Sequence, residues 1–256
     1  MWHWQTTDLG RFLTCDLLQG FPHGFFTRDW QGQDLNTLTA ALGTTAIPLR
    51  TQQVHGDRVV LGAEVLTKDE RLEADALVAT GSGQALWVCS ADCVPLLIAD
   101  VATGRVAAIH AGWRGTALQI SQATLRRMQA LGSDLADLRI AMGPAIGGEA
   151  YQVGLNVARA LGQTILEGVT ETTGRDDLYQ RFAALDPAVI FLDPDPERVR
   201  VDVARVNRLQ LLRWGLRDEQ IALPPYCTFR DAAFFFSYRR EHRKQVQWSG
   251  IVSDLR

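Results

Sequence analysis

Residues 104–115 read GRVAAIHAGWRG: an apolar run closing on His110, a turn punctuated by Gly112 and Gly115, then the start of a helical pattern. A β-type run passing through a glycine turn into a helix is a building unit of α/β folds. The end of such a strand is also where ligand sites gather.

The same alternation extends outward in both directions. Apolar runs predict strands at 53–61, 76–79, 85–90, 95–100, 104–110, 138–142, 198–201 and 234–238. A helix is expected over 116–131, where Leu118, Ile120, Leu125 and Met128 recur at helical spacing and Gly132 supplies a stop. Val203, Val206, Leu209, Leu212 and Leu216 form a second stripe with Asp202 as its N-cap, and a weaker helix covers 154–166. Asp193-Pro194-Asp195-Pro196 reads as a stiff turn ahead of a strand, and the polar segment 167–181 as a surface excursion. No Gly/Ser-rich or Pro-rich linker and no repeat interrupts the chain, so a single α/β domain over 1–256 is expected.

Composition narrows the partners. With 26 Lys+Arg against 29 Asp+Glu and a net charge of −3, broad electrostatic attachment to nucleic acid or to an anionic membrane is disfavoured. No apolar run suits a spanning helix, and the first residues lack a basic patch followed by a hydrophobic stretch, so a cytoplasmic protein is expected. Four cysteines are too few for a disulfide scaffold and remain free for metal or catalysis.

Three stretches carry chemistry. Around His110, the glycines permit close backbone approach and positive φ. Arg114 offers a fork of donors and the following helix unpaired N–H groups, a combination suited to phosphate; the alternative is an ordinary tight turn with Trp113 as core filler. Residues 85–100, ALWVCSADCVPLLIAD, place Cys89 inside an apolar run as a small buried hydrophobe, and Cys93 on a polar interruption as a metal thiolate, a nucleophile or a turn residue. In 52–56, QQVHG, His55 sits at the opening or bend of a strand, as a structural imidazole or a ligand. The chain has only five histidines, and His55, Cys93 and His110 would make an N₂S set for Zn²⁺ with the fourth tetrahedral position open.

Five blocks taken together are similar to one known family. They are Gln53-Val54-His55-Gly56; Ala91-Asp92-Cys93-Val94-Pro95; His110 to Gly115; Gly143-Pro144-Ala145-Ile146 with Tyr151 and Val153-Gly154; and Cys227-Thr228 with Phe235 to Arg240. With Asn207 and Gln210-Leu211 between them, the chain resembles the laccase-domain proteins of the YfiH type, regarded as purine nucleoside phosphorylases, over nearly its whole length. The resemblance implies a layered sandwich of mixed β-sheets flanked by helices and Zn²⁺ held by His55, Cys93 and His110. It also implies phosphorolysis of adenosine, inosine and 5′-methylthioadenosine, and deamination of adenosine. The pattern departs after Arg28, where Asp29-Trp30-Gln31-Gly32 leads into a shortened segment, and again where Lys244-Gln245-Val246-Gln247 stands in place of Thr-Gly-Arg.

On this reading Arg114, Arg239 and the N–H groups around Gly112 and Gly115 grip phosphate, with Arg28 and Tyr238 on the substrate side. Tyr238 is alternatively structural. Asp92 is a second partner to a metal-bound histidine, a proton shuttle, or a turn cap. Cu²⁺ would also bind an N₂S site avidly, but five histidines cannot build a multicopper oxidase. A cytidine-deaminase-type enzyme lacks its H-x-E and P-C-x-x-C motifs here. Two other classes compete: a cysteine hydrolase using Cys93 and His110, and a non-enzymatic factor acting in cell-wall assembly.

Overall fold

The computed structural model describes residues 1–68 and 70–255, so the expected domain of 1–256 includes residues 69 and 256, which lie outside the described residues. The first sheet runs, in spatial order, β1 (Trp2–Thr7), β2 (Gly10–Cys15), β3 (His23–Phe26), β15 (Gln247–Val252), β7 (Gln84–Ser90) and β4 (Ile47–Arg50). The second runs β14 (Ile221–Ala222), β10 (Leu138–Met142), β8 (Val94–Asp100), β9 (Val106–Ala111), β6 (Ala76–Val78) and β5 (Val59–Leu61). A small third sheet joins β11 (Gln152–Gly154), β13 (Arg198–Val201) and β12 (Ile190–Leu192). The two large sheets are mixed, because β4–β7, β5–β6 and β10–β14 pair in parallel and their other pairs are antiparallel.

Side-chain alternation explains the layering. Along β8, Leu96 and Ile98 enter one core while Leu97 and Ala99 enter another, and along β9 Ala107 and Ile109 separate from Val106 and Ala108 in the same way. One core lies between the two sheets. The other packs the second sheet against α4 (Ile120–Ala130) and α7 (Val203–Trp214). On the far side of the first sheet, Trp87, Phe26 and Trp30 pack with Leu38 of α1 (Leu35–Ala41). Sheets covered on both faces need apolar residues at every position, which is why these strands read as unbroken apolar runs. The third sheet has its own core with α5 (Leu155–Gly162) and α6 (Arg175–Leu185). The remaining helices, α2 (Gly62–Leu66), α3 (Trp113–Ala117) and α8 (Tyr238–Glu241), are short.

Helix α7 begins where expected: the Asp202 carboxylate accepts from Arg205 N at 3.0 Å, and Gly215 closes the helix at φ 110°. Elsewhere the expectations need correction. The helix predicted from 116 starts earlier, at Trp113, and breaks at Gln119, which adopts φ 61°. The side chain of Gln210 donates at 2.9 Å to the Thr116 carbonyl, which an unbroken helix would offer to Ile120.

The strand predicted at 53–61 contracts to Val59–Leu61, because the backbone N–H groups of 54–56 are held in a loop by the Asp75 side chain. The predicted helix at 154–166 contracts to Leu155–Gly162, and 167–181 is not wholly an excursion, since α6 starts at Arg175 and buries Leu178 and Phe182. Residues 234–238 form no strand. Phe235 and Phe236 are buried in an irregular stretch after a turn at 232–234, and the Arg240 guanidinium bonds the carbonyls of Thr228, Phe229 and Phe235, replacing ladder partners.

Candidate metal centre

The β8–β9 hairpin sets two of the three expected donors side by side. Cys93 immediately precedes β8, and His110 pairs across the ladder with Pro95. His55 arrives on a separate loop. There, Gln53 mimics a neighbouring strand, accepting from Cys89 N at 2.8 Å and donating to Cys89 O at 2.7 Å, while His55 itself takes φ 62°. The donor atoms of His55, Cys93 and His110 all lie within 4.8 Å of one another. The two imidazoles meet edge-on at 4.8 Å between centroids; His110 is buried, Cys93 half-buried and His55 exposed.

Asp75, fully buried at the head of β6, organises this group. One carboxylate oxygen accepts from His110 Nδ1 at 2.8 Å and from His55 N at 3.0 Å, and the other accepts from Val54 N at 3.1 Å and Gly56 N at 2.8 Å. Its carbonyl also accepts from His110 N at 2.8 Å. A carboxylate on Nδ1 places the proton there and turns the free lone pair of Nε2 toward Cys93. Burial would raise the Asp75 carboxyl, but the His110 and Gly56 hydrogen bonds keep it below its ordinary value.

Burial would likewise raise the Cys93 thiol. The facing His110 and His55 outweigh it and bring it down to about 6. Burial disfavours His110 imidazolium, yet the Cys93 thiolate and Asp75 lift it to about 9. Both shifts favour thiolate and imidazolium in the metal-free pair, and the Nε2 lone pair becomes available to a metal once the imidazolium proton leaves. Cys89, half-buried rather than fully buried, is pushed by burial to about 11 and stays a thiol.

The glycines act by clearance. A Cβ on Gly112 would lie 2.8 Å from Cys93 Sγ and 3.2 Å from His55 Cδ2, and one on Gly115 would lie 3.0 Å from the Gly56 carbonyl. Neither adopts the positive φ expected from the sequence. Helix α3, at five residues, is also too short to supply the strong dipole expected of a helix starting there.

The remaining candidates separate. Arg114 is exposed, stacks 4.6 Å over the Trp113 ring, and its side chain makes no hydrogen bond to a described residue. Arg239 lies 4.8 Å over the ring of Tyr151 and donates one N–H to the Gln152 carbonyl at 2.9 Å. Tyr151, whose hydroxyl burial and the charge of Cys93 raise to about 12, remains protonated. Arg28 is committed to structure: it donates to the Ala232 carbonyl, faces Glu241 at 3.6 Å and lies over Phe236. Tyr238 is exposed and meets His242 edge-on. The carboxylate of Asp92 touches neither imidazole. It accepts from Thr228 Oγ1 and from Arg239 N, each at 2.7 Å, so the histidine-orienting carboxylate is Asp75 instead. The only trace of Asp75 in the sequence is an acid heading an apolar run.

The group fits a zinc ion by donor chemistry: two imidazoles and a thiolate formed at neutral pH, with one imidazole held by a carboxylate and clearance provided by a glycine. Among the described residues it is the one such cluster, which is too few ligands for several coppers. Two clefts of about 530 and 520 Å³ lie elsewhere, one along β1 to β3 and one between residues 145–147 and 223–231.

Residues 32–252 match the family described as multi-copper polyphenol oxidoreductase laccase. A purine nucleoside phosphorylase of Synechocystis sp. is 44% identical, covering 99% of this chain and 97% of its own. A purine nucleoside phosphorylase of Deinococcus radiodurans is 43% identical over 80% of this chain and 69% of its own. Among solved structures, YlmD of Geobacillus stearothermophilus superposes with a TM-score of 0.79 at 24% identity, covering 98% of both chains. The Bacillus licheniformis protein YfiH gives 0.76 at 24% identity, covering 98% of this chain and 99% of its own. These two likenesses concern the fold.

Proposed function

The chain belongs to the laccase-domain family, and on that premise we propose that it is a zinc-dependent purine nucleoside phosphorylase with adenosine deaminase activity. The observation that carries this reading is the convergence of His55, Cys93 and His110. The substrates would be adenosine, inosine and 5′-methylthioadenosine, cleaved by phosphate to a free base and a pentose 1-phosphate. Free thiols and a net charge of −3 support a cytoplasmic setting without nucleic acid.

His55, Cys93 and His110 would hold the zinc, which when bound supplies a Lewis-acidic positive charge. Asp75 keeps His110 in the ligating tautomer. Arg114, with both edges of its guanidinium available, binds phosphate and turns one oxygen toward C1′ of the nucleoside. The unused donors of Arg239 take a second phosphate oxygen. As the C1′–N9 bond breaks, its electron pair leaves on the purine, which takes a proton from water to depart as the free base, while the ribose becomes cationic and the bound phosphate anion stabilises it and bonds to C1′. Tyr151, protonated throughout, offers a neutral donor toward the same space.

A second reading has one observation in its favour: Cys93, His110 and Asp75 line up as nucleophile, base and orienting acid. Metal content separates the two. Metal-analysed protein, incubated with each nucleoside with and without phosphate, should yield base and pentose 1-phosphate only when phosphate is present. His110→Ala should abolish it. A metal-free protein whose Cys93 is alkylated rapidly in an EDTA-insensitive way supports the hydrolase, and absence of any turnover supports the assembly factor.

A further inference from the structure

We propose that Asp92 is a positioning residue that fastens helix α8, and with it Arg239, to the turn carrying Cys93. This rests on the reading of Arg239 as a phosphate ligand. Asp92 is 8% exposed and adopts φ 89°, a conformation that glycine takes freely and an aspartate does not. A strained backbone is maintained here because the side chain and carbonyl are all engaged. Oδ1 accepts from Thr228 Oγ1 and Oδ2 from Arg239 N, both at 2.7 Å, and the carbonyl accepts from Ile146 N at 3.0 Å. Thr228 N in turn donates to the Ala145 carbonyl at 3.0 Å, so the carboxylate of Asp92 joins Thr228 and Arg239 while its carbonyl ties the Cys93 turn to residues 145–146.

Helix α8 has four residues and cannot hold its own orientation. Ser237 caps it through Arg240 N, and Asp92 takes the N–H of Arg239, the residue just before. From that anchored Cα, the Arg239 side chain extends over Tyr151 to Gln152. With both oxygens occupied, Asp92 is poorly placed to carry a proton. Its effect reaches the reaction through the aim of Arg239.

Asn at this position can accept from Arg239 N through its carbonyl and donate its amide to Thr228 Oγ1, preserving the mount while removing the acid. The test therefore compares Asp92→Ala, Asp92→Asn and Thr228→Val in zinc-loaded protein, following amide exchange over residues 237–242 and steady-state kinetics with inorganic phosphate varied. Asp92→Ala should accelerate exchange and raise the phosphate KM by about tenfold or more, the scale of a lost charged hydrogen bond, with the loss falling on KM rather than kcat. Asp92→Asn should restore both, and Thr228→Val should fall between. Unchanged exchange in Asp92→Ala, a phosphate KM in Asp92→Asn as high as in Asp92→Ala, or a kcat that falls in both variants overturns the proposal. Thr228→Val, which removes a single bond, carries the exchange test if Asp92→Ala does not fold. Wild-type protein without phosphate-dependent turnover would sink the phosphorylase reading alone, while exchange would still decide the mount.

Discussion

The carboxylate oxygen of Asp75 that accepts from His110 Nδ1 at 2.8 Å also accepts from the backbone N–H of His55 at 3.0 Å. One atom thus sets the position of two candidate ligands from different parts of the chain. Asp75→Asn should keep an acceptor but lose the charge, lowering zinc affinity about 10–100-fold in a chelator competition. Asp75→Ala should further orphan the loop N–H groups and lower unfolding free energy by at least about 3 kcal/mol. Wild-type affinity in Asp75→Asn would remove the carboxylate from the metal's support.

Gly112 has φ −72° and ψ 172°, which alanine adopts without strain, so any effect of Gly112→Ala is steric. The added methyl meets Cys93 Sγ and His55 Cδ2. The folded protein should persist, at an overpacking cost of about 1–3 kcal/mol, while bound zinc per chain drops well below the wild-type ratio. Full zinc occupancy in this variant would contradict the clearance argument.

Zinc uptake should expel a proton. Between pH 6 and 9 the metal-free site holds Cys93 as thiolate and His110 as imidazolium, and only the imidazolium proton must leave. Affinity should therefore rise as pH approaches 9, with about one proton released per metal, visible as a buffer-dependent heat in calorimetry. The same shifts shape the stability of the metal-free fold. The depressed Cys93 contributes fully above its ordinary 9.0 and loses that contribution as pH falls through about 6; the raised His110 contributes fully below its ordinary 6.5 and loses it as pH rises through about 9. Between about pH 6.5 and 9 the gain from Cys93 and the loss from His110 offset each other, because folded and unfolded states each carry one proton on the pair, so the stability of metal-free protein should be nearly flat across that window, and a steep slope within it would argue against the pair.

Arg114 makes no hydrogen bond that its removal would orphan, so Arg114→Ala should leave Tm nearly unchanged. Its phosphate KM should rise about 10–100-fold. Arg114→Lys should recover only part of this, since an ammonium restores charge without the planar fork. Equal KM in all three proteins would place phosphate elsewhere.

Much of the architecture was readable because doubly covered sheets demand apolar residues at every position. Strands β8, β9, β10 and β13 lie where their runs predict. What failed was local structure imposed from a distance. The break at Gln119 depends on Gln210 far along the chain, and the non-strand path of Phe235 and Phe236 depends on Arg240. At the site, His55, Cys93 and His110 were legible as a scarce donor set. Asp75 was not, because an acid at a strand boundary has no signature until the loop that it receives is folded against it. Asp92 drew attention through its neighbour Cys93, although its own partners, Thr228 and Arg239, lie more than a hundred residues away in sequence.

The hairpin of β8 and β9 joins Cys93 and His110 by local pairing, while His55 depends on β6 docking so that Asp75 can draw its loop inward. During biogenesis, then, a zipped hairpin is only a bidentate chelator. Any discrimination among divalent ions would then rest on the tertiary contact between Asp75 and the His55 loop, not on the hairpin alone.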